Sequence, residues 1–217
     1  MVAGEETPDW ADRAADFVQF NRDNAGDAQL GSFFMLLASV ALLWFVSHLR
    51  AELGRFEQAA RGFTRLSHMA LAGGTVAAVG MALTALMTAV AVSQPDDTAG
   101  DVVRALHHAS WASWSIVSVG LVVLLFAASL LILRTAVLPS WLGWVGLVGG
   151  VAQLLLLSIV LAPDDDEFVL GFAWVPGFLA LMIWIVGSSI IFMLRAGRPE
   201  QLDARRPGGD EPPARTV

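Results

Sequence analysis

Of 217 residues, 56% are hydrophobic, and they are gathered into long blocks rather than alternating, which excludes an ordinary soluble domain and predicts an all-α integral membrane protein. The absence of cysteine excludes disulfides, thiolate metal sites and cysteine nucleophiles. A net charge of −7 argues against a nucleic-acid partner, and every one of the thirteen basic residues is an arginine.

Residues 1–28 read as an extracellular polar head. Asp9 can cap a short helix with Trp10, Ala14, Phe17 and Val18 along one side, an amphipathic spacing suited to the membrane interface; a loosely ordered leader is the alternative. The acidic start lacks a basic, then apolar, then small-residue succession, so no cleaved signal peptide is expected. A membrane domain over 29–195 follows, with spans at about 30–49, 69–92, 111–133, 141–162 and 168–194.

The first span ends in His48, Leu49 and Arg50. Beyond it Leu53, Phe56, Ala60 and Phe63 recur at helical steps beside Arg55, Arg61 and Arg65, predicting a surface-lying helix or a continuation of the span. In the second span Gly73, Ala77, Gly80, Thr84, Thr88 and Ala91 share one face; small faces let backbones approach in lipid, so this is the expected main packing seam. Residues 93–110 read as an outer connection carrying Asp96, Asp97, Asp101, Arg104, His107 and His108. On a helix Asp101 and His108 stand about 10.5 Å apart along the axis, too far to share an ion, so no metal site is assigned.

The third and fourth spans form a hairpin around Arg134 to Ser140. Pro139 pushes Leu138 out of helical geometry, Ser140 can cap the next helix, and Trp141 and Trp144 suit the headgroup layer. Gly146 and Gly150 make a GxxxG pair. Gln153 is the most polar residue near a midplane, able to hydrogen-bond a neighbouring helix or to line a path. Asp164, Asp165 and Asp166 can cap the fifth span, in which Pro176 and Gly177 predict a kink or tilt. Residues 196–217, rich in Pro, Gly and Arg, read as a disordered cytoplasmic tail.

With the N-terminus outside and five crossings, ten of the thirteen arginines fall on the inner side and only Arg13, Arg22 and Arg104 on the outer, as the positive-inside rule requires. Every span running outside to inside ends in Leu-Arg, at Arg50, Arg134 and Arg195. The five cores hold no ionisable residue, which counts against a proton-coupled carrier or a selective ion channel. His48 and His68 fall at one depth on neighbouring helices, the placement bis-histidine haem would need, but with no supporting pattern they read as interfacial histidines. No HExxH, GxSxG or GxxxxGK sequence occurs, so no catalytic or cofactor-binding residue is assigned, no cofactor is expected, and an enzyme is the less favoured reading.

The turn from Leu133 through Arg134, Thr135, Leu138, Pro139 and Ser140 to Trp141, Leu142, Gly143 and Trp144, together with the section from Trp44 through Arg50 to Leu53, resembles a widespread group of uncharacterised actinobacterial multi-pass membrane proteins. The resemblance covers about two thirds of the chain. It implies a multi-pass topology in the bacterial plasma membrane and transfers no site.

Gly73, Ala77, Gly80, Thr84, Gly146 and Gly150 together suggest a non-enzymatic protein acting through helix association, with itself or as an accessory subunit of a membrane complex, in contact with membrane lipids. The alternative is a small-molecule permease or lipid-handling protein with Gln153 and Pro176 beside a path.

Overall fold

The computed structural model describes residues 8, 12–59, 65–93, 100–157 and 174–196. Among them are six helices and no strand: α1 (Ala14–Asp23), α2 (Ala25–Ala59), α3 (Leu66–Ser93), α4 (Gly100–Thr135), α5 (Ser140–Leu156) and α6 (Val175–Ala196). Four of them, α2, α3, α4 and α6, are long and apolar enough to cross a membrane. The described part of α5 is 17 residues, about 26 Å at 1.5 Å per residue, slightly short of a ~30 Å hydrocarbon core. The remainder of the 141–162 segment, the acids of 163–167 and the tail from 197 lie outside the described residues.

Two connections read from the sequence are helical. The arginine-bearing stretch after the first span continues it, so that α2 runs unbroken for 35 residues with Leu53 fully buried. The segment read as an outer connection is helical from Gly100, making α4 36 residues long. One local feature and one tertiary feature favour the helix. Asp101 sits in the first turn, where a negative charge suits the helix dipole, and Val103 and Ser110 find a buried face. At about 54 Å, α4 outreaches the hydrocarbon core, so at least one end must project.

α1 packs on that extension. Phe17, 1% exposed, meets the ring edges of His107 and His108 at centroid distances of 5.1 and 5.5 Å, while Arg104 reaches the Asp12 carbonyl at 3.4 Å. The apolar side expected to face the membrane interface therefore turns Phe17 onto protein. Asp9 and Trp10 lie outside the described residues; here Asp16 reaches back to the Arg13 backbone N–H at 3.2 Å.

Glu57, near the end of α2, holds the start of α3. Its carboxylate accepts the backbone N–H groups of Arg65 and Leu66, both at 2.6 Å, and of Ser67 at 3.3 Å, as well as the Ser67 hydroxyl. Arg65 adopts a φ of 123°, rare for a residue with a side chain, and so brings two successive N–H groups onto one oxygen. Three of the donors that a helix start leaves unpaired are thereby met by a single side chain. Glu57→Gln keeps the shape but replaces one accepting oxygen by a donor, and it should lower stability by about 1–3 kcal/mol. Thermal unfolding in mild detergent checks this; an unchanged midpoint would show that the cap contributes nothing.

At the α4–α5 turn, Ala136 takes a left-handed φ of 50° and donates its N–H to Ile132 at 2.9 Å, closing α4. Val137 and Leu138 are then buried. The cap position belongs to Pro139, whose carbonyl accepts the Leu142 N–H at 3.0 Å, and Ser140 is the first helical residue rather than the capping one. Trp141 and Trp144 remain exposed on the outside of the bundle.

Candidate functional site

Small residues set the distances between helices. At Gly73 an added Cβ would lie 2.5 Å from the Leu124 nitrogen and 2.7 Å from the Gly120 carbonyl; at Gly80 it would lie 2.8 Å from the Val117 nitrogen. Both are contacts with backbone, so α3 and α4 touch main chain to main chain. Ala77 is buried in the same seam, and Thr84 donates its hydroxyl to the Gly80 carbonyl at 3.0 Å and lies 3.4 Å from that of Ser110 on α4. Gly150 faces the Phe126 ring of α4 at 3.2 Å, and Gly146 faces Ser129 of α4 and the Trp184 indole of α6. Each of these small residues is thus filled against a helix of the same chain.

α2 and α6 meet differently, ring to ring. Phe45 and Trp184 stand at 6.0 Å and 79°, His48 and Phe192 at 5.9 Å and 84°. Between these two helices, with α3, α4 and α5 behind, lies a partly open chamber of about 450 Å³. Along α2 the lining residues Ala38 and Ala41 leave space, whereas Phe45 and Leu42 fill it. Trp114, Trp174 and Phe178 supply aromatic wall, the last two stacked at 5.7 Å and 9°. Met81 and Met182 add adaptable thioethers. Beyond Phe45 and Ser189, the last lining residues of α2 and α6, the His48–Phe192 pair lies further along the two helices, toward Arg50.

One amide interrupts this apolar surface. Gln153 of α5 is 6% exposed and lines the chamber, and its side-chain amide makes no hydrogen bond among the described residues. An added Cβ at Gly177 would come within 3.7 Å of its Nε2, so the glycine keeps space open beside it. Ser189 is the other polar side chain of the wall, and no charged side chain appears among the described lining residues. Pro176 lies in the first turn of α6, exposed, and does not line the chamber; the kink expected there involves residues 168–173, outside the described ones.

The two histidines expected at one depth point to different partners. His68 contacts Arg50 through Nε2 at 2.9 Å, whereas His48 packs on Phe192. His107 accepts the Trp111 indole N–H at 3.2 Å and belongs with Phe17. Among the described residues no three His, Asp or Glu side chains come together to hold a metal.

Of the chamber residues, sequence reasoning singled out Gln153. It passed over Gly120, the far half of the α3–α4 seam, although an isolated glycine in an apolar helical run is itself a signal of close backbone approach. Phe45, Trp114, Trp174 and Phe178 carried no signal, since an aromatic in a span reads the same whether it faces lipid or a cavity.

No curated protein and no solved structure matches the chain. A family described as a domain of unknown function (DUF4386) matches residues 9–186. That range takes in the whole of α1 to α5 and every lining residue of the chamber except Ser189.

Proposed function

Because the chain belongs to the DUF4386 family, whose description names no activity, we propose from the chamber that it is a lipid-handling membrane protein that admits a hydrophobic small molecule between α2 and α6. The carrying observation is an apolar chamber of about 450 Å³, inside the 300–1,000 Å³ range of small-molecule sites, with a single buried amide on its wall. Binding and transfer suit such a lining better than bond-making chemistry does. In this reading the protein spans a bacterial, actinobacterial plasma membrane five times, with α1 outside and the C-terminus in the cytoplasm. The arginines at the end of α2, the start of α3 and the end of α4 support that orientation, and the segment beginning with α5 supplies the further crossing.

Action through association with a second copy or as an accessory subunit has less behind it. The small-residue faces that would drive it are filled by α4 and α6 of the same chain.

Native mass spectrometry of the protein extracted gently from its own membrane tests the proposal. The expected result is the chain's own mass with a hydrophobic molecule bound one to one, exchangeable for added lipid. A bare chain that takes up no lipid, or a second polypeptide at fixed stoichiometry, would overturn it.

A further inference from the structure

We infer that the chamber's occupant is an amphiphile with an uncharged polar group, an ester, amide or hydroxyl, paired with the Gln153 amide; this rests on the lipid-handling reading above. Gln153 is more than nine-tenths buried and its side-chain amide has no hydrogen bond among the described residues. Buried amides in native proteins are almost always paired, and an unpaired one is costly. An amide offers both donors and an acceptor, so its complement is a carbonyl or hydroxyl, placed where Gly177 leaves room beside Nε2. A carboxylate or phosphate would be stripped of water with no counter-charge among the described lining residues.

The length of the chamber suits an alkyl chain. From Gly177, level with Gln153, to Ser189 at the other end is about 18 Å along α6, and over that length the lining is apolar apart from Gln153 and Ser189. The polar group therefore lies at the Trp174 end, and the tail runs past Phe45 and Ile185 toward the His48–Phe192 pair.

The test uses the full chain in mild detergent, with displacement of a fluorescent alkyl probe and native mass as readouts. An oleoyl monoglyceride, oleate at alkaline pH and octadecene are compared on the wild type and on Gln153→Leu, with Gln153→Met in reserve should the leucine variant fail to fold. The expected result is one monoglyceride per chain, bound about tenfold more tightly than octadecene or oleate, the difference an unpaired buried amide makes. The variant should bind octadecene as the wild type does and lose that tenfold preference. A preference that survives in the variant, or oleate bound as tightly as the monoglyceride, would overturn this inference while leaving lipid handling intact. No chain probe bound by the wild type would overturn both.

Discussion

Gly120→Leu should yield little folded protein, with thermal stability lowered by at least about 3 kcal/mol, the upper end of ordinary overpacking penalties. The reason is what the new side chain meets. An added Cβ at Gly120 would run into the Ala77 backbone and come within 2.6 Å of the Gly73 carbonyl. A flexible side chain could rotate away, but main chain can yield only by moving α3 as a whole. Gly120→Ala should already show most of the loss, because the first carbon makes the clash. The control is Gly31→Leu in α2, where an added Cβ meets nothing within 4 Å, and it should unfold like the wild type. The readouts are the yield of monodisperse protein and the unfolding midpoint in detergent; equal midpoints for Gly120→Leu and Gly31→Leu would mean that the seam is not as close as described. The loss should appear in the monomer, since both sides of the seam belong to one chain.

Trp184→Ala should cost about 3–5 kcal/mol, and Trp184→Phe far less. Trp184 is fully buried between Phe45 of α2 and Gly146 of α5, so its removal empties a contact that α6 makes with both helices. The indole N–H has no hydrogen-bond partner among the described residues, so phenylalanine gives up an unpaired polar atom along with part of the ring, and the two changes offset each other. Unfolding midpoints of the two variants decide the matter. A phenylalanine variant as unstable as the alanine one would show that the N–H, and not the ring, matters.

Long apolar helices were legible in the sequence because length and apolarity are properties of a segment by itself. The helix pair around Arg134–Ser140 could be placed for that reason, and the face containing Gly73, Ala77 and Gly80 could be read from the helical spacing of its small residues. Helix ends beyond the apolar runs were not. Residues 100–110 look like a polar connection, and much of what makes them helical is their setting: Phe17 of α1 packs on His107 and His108. The Glu57 cap was hidden for the same reason, since it joins residues eight to ten apart across a turn and follows no local capping pattern. For the chamber, Gln153 stood out because a polar residue in a span needs a reason, whereas the cavity itself is a gap between helices and no residue encodes a gap. Its width comes from a contrast that only the assembled bundle reveals, glycine contacts on α3 to α6 against ring contacts between α2 and α6.

The ring contacts between α2 and α6 also carry a consequence for biogenesis. Chains are made from the N-terminus, and the first helix of the pair exists before the last has been translated. Until α6 arrives, the wall formed by Ala38, Ala41, Phe45, Trp114 and Gln153 is uncovered on that side. On the proposed lipid-handling function, insertion of the last helix would enclose a volume already filled by acyl chains. The newborn protein would then carry lipid from the moment it is complete, and its first act would be an exchange rather than an uptake.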